Sequence, residues 1–179
     1  AGQTLLSRKW IEGQTVDGGE VYRLNGNEVD PGMMKEAIAE NSDDDISIIT
    51  SDREMIAQIP GIGEIMLNYI PEGWENGEYK YSRMDGTQFY AETYYSKQNQ
   101  KDIRYRSVSF ENMDSVSNEI QQDAAGIEKR INEVNVYFTN NNEVAVATWN
   151  IDLSNYTLFA PVSEEEMQKM IESIKEVNK

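Results

Sequence analysis

The stretch Glu78–Tyr95, "EYKYSRMDGTQFYAETYY", decides the fold. On each side of Asp85-Gly86 the residues alternate and favour extended backbone, and an Asp-Gly pair between two such runs marks a two-residue hairpin turn. Glu78–Met84 and Thr87–Tyr95 are therefore read as paired antiparallel strands, with Ile103–Phe110 as a third strand after a turn at Asn99–Asp102. A meander of this kind has at least one face to bury, so other parts of the chain must cover it.

The C-terminal segment offers the clearest cover. Ser163 and Glu166 have the spacing of a capping box, Val162 and Met167 that of a hydrophobic staple, and Met167, Met170, Ile171, Ile174 and Val177 share one helical face. Further upstream, Asp30 followed by Pro31 opens a helix to about Glu40 with Met34, Ala37 and Ile38 on one side. Ser51 and Glu54 read as the capping box of a short helix that Pro60-Gly61 ends.

The remaining extended segments fall around these. Val21 and Leu24 sit between the turn signals Asp17-Gly18-Gly19 and Asn25-Gly26, Ile46–Thr50 is a short apolar strand, and Glu64–Ile70 reads as a strand apolar on both faces. Glu133–Phe138, Glu143–Trp149 and Tyr156–Ala160 read as consecutively paired strands joined at "TNNN" and "DLSN", whereas Glu111–Ile131, least legible over residues 111–126, reads as a loop, with a helical turn as the alternative. The expected fold class is α+β: a curved, mostly antiparallel β-sheet meander with helices packed on one side, including the C-terminal amphipathic helix. Residues 1–63 are expected to pack, as short strands and helices, on a main domain of residues 64–179, giving one compact unit.

Composition narrows the chemistry. With 179 residues the chain is long enough for a self-supporting core, and its 32 acidic against 16 basic residues give a net charge of −16. Such a charge repels polyphosphates and anionic lipid, so neither nucleic acid nor direct membrane docking is expected as a partner. The chain contains no cysteine and no histidine, which removes disulfides, thiolate metal sites, cysteine nucleophiles and any Ser-His-Asp triad. It carries no apolar run long enough to span a bilayer, and its start at "AGQTLLSRKW" without a Met suggests an excised fragment.

Few residues then remain as candidates for function. Asp43, Asp44, Asp45 and Asp52 could hold calcium but lack the spacing of an EF-hand, and "PGIGE" at Pro60–Glu64 is a turn without the Gly-Lys-Ser/Thr ending of a phosphate loop. Among 32 acidic residues no pair stands out for glycoside hydrolysis. The aromatic set that includes Trp74, Tyr81, Tyr90 and Tyr94 could stack a sugar or peptide, although strand tyrosines also pack across strands. Arg104 and Arg106 share a strand face and could clamp an anion, with carboxylate pairing as the competing role. These six form the candidate ligand or partner surface; no catalytic residue, metal ligand or cofactor is expected.

One joint carries a wider resemblance. "YIPEGW" at Tyr69–Trp74, a late "ATWN" strand and "YTLFAPVSEEEMQKMIESI" resemble the bacterial domain-of-unknown-function 4367 family, in which a Tyr-x-Pro-x-Gly entry, a Trp strand and an ending like "ls.eel.kiieSi" recur. The matching positions are Tyr69, Pro71, Glu72, Gly73, Trp74, Trp149, Tyr156, Ser163, Glu164, Glu165, Ile171, Ser173 and Ile174, within about Glu64–Val177. The resemblance implies an extracytoplasmic part of a membrane- or lipid-anchored bacterial protein, some members lying behind anti-sigma-factor-like segments, and it assigns no catalytic residue. The expected function is a non-enzymatic domain that binds or senses an unknown protein or small-molecule ligand and meets the membrane only through an anchor. The alternatives are a carrier of an apolar ligand in a half-barrel pocket and a hydrolase using acidic residues.

Overall fold

The computed structural model of the protein describes residues 20–40, 43–84, 88–109 and 126–179. Chain order gives β1 (Val21–Leu24), β2 (Asn27–Glu28), α1 (Pro31–Ala39), β3 (Ile46–Thr50), α2 (Arg53–Ala57) and α3 (Ile62–Ile65). These lead into β4 (Glu75–Met84), β5 (Gln88–Ser96) and β6 (Ile103–Ser109). The last part holds β7 (Ile127–Ile131), β8 (Val134–Asn141), β9 (Val144–Ile151), β10 (Ser154–Ala160), α4 (Glu164–Glu172) and a 3₁₀ turn at Lys175–Asn178.

All ten strands join one antiparallel sheet in the order β2-β1-β3-β4-β5-β6-β10-β9-β8-β7. The expected α+β class with an antiparallel meander is what forms. The turns follow their residue types: Asn25 and Gly26 both take positive φ between β1 and β2, and Asn142-Glu143 and Asp152 do so in the later hairpins.

Register separates the sheet into two chemical faces. One cross-strand row runs Tyr81, Ala91, Ser107, Tyr156, Trp149, Val136, and the next runs Tyr79, Thr93, Tyr105, Leu158, Ala147, Phe138. This largely apolar inner face joins Met34 and Ile38 of α1, Met55 and Ile56 of α2, Ile62 and Ile65 of α3, and Met167, Met170 and Ile171 of α4 in a single buried core. Within it Trp149 stacks between Tyr105 and Tyr156, at centroid distances of 6.1 and 5.7 Å. Beside Ile56, Tyr81 and Tyr105, between sheet and helices, lies a void of about 20 Å³, room for roughly one water.

The caps show why the helices begin where they do. Asp30 accepts from the Met33 N–H and Ser163 from the Glu166 N–H, both as the sequence predicts. For α2 the cap is Asp52, whose carboxylate accepts from the N–H groups of Glu54 and Met55, rather than Ser51. An ionised carboxylate is the stronger acceptor and also favours the positive end of the helix dipole.

Three expectations need correction or fall outside the description. The strand expected at Glu64–Ile70 does not form: Gly61, at φ +87°, restarts the chain as α3, and residues 66–70 run extended without pairing in the sheet. Residues 127–131, where no strand is expected, form β7 at the sheet edge. The Asp17-Gly18-Gly19 and Asp85-Gly86 turns and the loop expected at 111–125 lie outside the described residues.

Candidate functional site

The face of the sheet opposite the helices carries the polar chemistry. Its central cross-strand row reads Lys80, Glu92, Arg106, Thr157, Thr148, Tyr137, and its neighbour reads Tyr94, Arg104, Phe159, Val146, Thr139. Alternation alone puts these side chains on the face that Tyr79, Tyr81 and Tyr105 do not use.

Glu92 is the centre of this face and is only 5% exposed. The Tyr90 hydroxyl donates to its Oε2 at 2.9 Å, and the Tyr94 hydroxyl donates to Oε1. Burial and the neighbouring carboxylate together push both phenols well above the ordinary tyrosine range, because each keeps its proton for the hydrogen bond to Glu92. Arg104 approaches the same carboxylate with its Nε at 3.9 Å from Oε2, an ion pair without a hydrogen bond.

The arginines lie over an aromatic ring. The guanidinium carbon of Arg104 is 4.2 Å from the Phe159 ring centre, and that of Arg106 is 5.9 Å away. Arg106 stands across the strand from Glu92, yet among the described residues it forms no hydrogen bond or ion pair. Beside the cluster, Lys80 pairs with Glu78 at 3.6 Å and lies 5.3 Å from the Tyr94 ring. A shallow cleft of about 470 Å³ opens there between Lys80, Tyr94, Glu78, Asp102 and Glu20.

Four of the six candidate residues, Tyr90, Tyr94, Arg104 and Arg106, thus come together on one face. Tyr81 lies on the opposite face, 4% exposed and stacked 6.4 Å from Phe89, with burial pushing its phenol up to about 12. Trp74 is also buried in the core, after a turn in which Gly73 takes φ +91°. Glu92, which joins Tyr90, Tyr94 and Arg104 and stands across the strand from Arg106, escapes a reading by residue type because its place depends on cross-strand register. Its position between Tyr90 and Tyr94 at intervals of two was the available signal.

Among the described residues no group of three or more carboxylates is placed to hold a metal ion. In the acidic run, Asn25 instead donates to Asp44 at 3.1 Å and accepts from the Asp45 N–H at 2.9 Å, which fixes the loop to the β1–β2 turn.

A second constellation joins the two ends of the "YIPEGW…IESI" pattern. The Asn68 N–H donates to Ser173 Oγ at 2.9 Å and its side-chain amide to the Ser173 carbonyl at 2.8 Å, while Arg53 donates to Asn68 Oδ1. One residue on, the Tyr69 hydroxyl donates to Glu166 Oε2 at 2.7 Å. The unpaired segment after α3 is therefore clasped to α4. The family model described as "Domain of unknown function (DUF4367)" matches residues 64–174, from α3 through this clasp.

The chain belongs to the DUF4367 family. The pattern residues Tyr69, Gly73, Trp74, Trp149, Tyr156, Ser163 and Ser173 act in this DUF4367 domain as a turn, core aromatics, a helix cap and the clasp. None of them belongs to the Glu92 cluster, although that cluster also lies within the matched span. No curated protein and no solved structure matches the chain.

Proposed function

We propose that the protein is a non-enzymatic, extracytoplasmic binding or sensing domain of a membrane- or lipid-anchored bacterial protein, and that it engages its ligand or partner through the sheet face that no helix among the described residues covers. The observation that carries this reading is the arrangement around Glu92: two arginines lie by Phe159 beside a carboxylate whose oxygens each accept from a tyrosine hydroxyl. Guanidinium N–H groups held on a sheet without a hydrogen-bond acceptor at Nε among the described residues are suited to recognition. The sequence has no His or Cys to supply the commonest general base or a thiol nucleophile.

Location is tested in the full-length gene product. Because the chain has no cysteine, Leu153→Cys, at a hairpin position 40% exposed, introduces a single reporter thiol into this domain. A membrane-impermeant maleimide should label it in intact cells as fully as after lysis. Labelling only after lysis would overturn the extracytoplasmic reading.

A further inference from the structure

We infer that the Arg104–Arg106–Phe159 patch is a binding site for a singly charged carboxylate carried on a flat apolar body. This deepens the proposed use of that sheet face and rests on it. Its physical basis is the mismatch between donors and acceptors. Each guanidinium has five N–H donors, while Glu92, the carboxylate that pairs with Arg104, also accepts from Tyr90 and Tyr94.

The Nε atoms of both arginines are buried and have no hydrogen-bond partner among the described residues. Leaving a charged donor in that state carries a desolvation cost that an added acceptor would relieve. The contact of Arg104 with the Phe159 ring, at 4.2 Å, consumes none of its N–H donors and leaves them for another group. Arg104 is accessible, with its side chain 40% exposed.

The surroundings select among anions. Glu92 pairs with Arg104, and Glu78 and Asp102 line the cleft beside Tyr94, in a chain of net charge −16, so a phosphate dianion meets roughly twice the repulsion that a carboxylate does. Half-buried Phe159 and its cross-strand neighbour Val146 provide an apolar floor beside the arginines, which an aromatic or branched body can cover.

The test uses the purified chain with benzoate, acetate and inorganic phosphate as probes at matched ionic strength, read by NMR at backbone amides and arginine Nε–H groups. Benzoate should give saturable shifts centred on Arg104, Arg106 and Phe159, bind more tightly than acetate, and bind more tightly still than phosphate. Arg106→Gln should weaken benzoate by about tenfold and the Arg104→Gln/Arg106→Gln pair should abolish binding, while Glu92→Gln should tighten it by roughly threefold or more as the competing charge is removed. Variants are compared only where their circular dichroism matches the parent, and Lys35→Gln on α1 serves as the charge control and should change nothing.

Absence of saturable shifts at the patch, phosphate binding equal to benzoate, or unchanged affinity in the folded Arg106→Gln and Glu92→Gln variants would each overturn the inference. The labelling result is independent of all of them, so failure of the carboxylate site and failure of the extracytoplasmic reading are read separately.

Discussion

Glu92 shows at the residue scale how a buried charge can be held in a single sheet layer. Its two oxygens accept from Tyr90 and Tyr94, and Arg104 supplies the compensating charge at 3.9 Å. Removing the carboxylate strands two buried phenol hydroxyls and a guanidinium, so Glu92→Ala is expected to destabilise the protein by about 2–4 kcal/mol in urea unfolding. Tyr90→Phe removes only one donor and should cost about 1 kcal/mol; an equal cost for both variants would mean that the carboxylate is not the hub. Tyr69 acts on an exposed carboxylate instead. Its hydroxyl is the main cause that lowers the Glu166 carboxyl below the usual range, with Lys169 adding to it. A depressed folded-state value means that this contribution is present above the unfolded value and is lost as pH falls through the folded one. In Tyr69→Phe the Glu166 carboxyl should therefore titrate higher in a carbon-detected NMR experiment, and an unmoved titration would remove Tyr69 as the cause.

At the element scale, legibility follows the range of the forces involved. The helix α4 is legible because its cap at Ser163 and its stripe from Met167 to Ile171 are local, and β4 and β5 are legible because alternation is local. Two elements mislead for opposite reasons. Residues 66–70 mimic a strand, since Met66 and Leu67 are buried, yet their partner is a helix: Asn68 bonds to Ser173 instead of to a neighbouring strand. The edge strand β7, "IEKRI", hides its nature because an edge tolerates charge, with Lys129 paired to Glu164 across to α4. The clasp at Asn68 gives the element-scale prediction. Asn68→Ala removes the hydrogen bond of its side-chain amide to the Ser173 carbonyl, and Ser173→Ala removes the acceptor of the Asn68 N–H. Each should destabilise the fold by roughly 1 kcal/mol, and the double variant should cost less than the sum because both bonds hold the same segment to α4. Strict additivity in that cycle would show that the segment after α3 and the helix α4 are not energetically joined.

Across the whole molecule, the sheet splits into an apolar face that every helix covers and a polar face that collects the candidate site. Parity along each strand was readable: Tyr94 and Tyr95 had to point oppositely, and they do, toward Glu92 and into the core. The site as a unit was not readable, because Tyr90, Glu92 and Arg104 meet only through the register of β5 against β6. The same architecture loads the core with phenols, and this makes alkaline stability a test of the packing. Desolvation is the first cause in each case: it pushes Tyr81 and Tyr156 up to about 12 and raises Tyr90, Tyr94, Tyr95 and Tyr105 further. Below about pH 10 these groups are neutral in both the folded and the unfolded chain, so they add no pH dependence. Above it the unfolded phenols ionise while the folded ones stay protonated, and each buried tyrosine then costs about 1.4 kcal/mol of stability per pH unit. Tyr94 is only half-buried and contributes less, but the other five together approach the whole stability of an ordinary domain, about 5–15 kcal/mol, within one to two pH units. The fold should therefore be level up to about pH 10 and then unfold steeply, with the tyrosinate absorbance rising together with the loss of near-ultraviolet circular dichroism. If the tyrosinate band instead grew gradually from about pH 10 while the dichroism persisted, these phenols would be titrating in a native state open to water, and the packing of the tyrosines on both faces would be wrong.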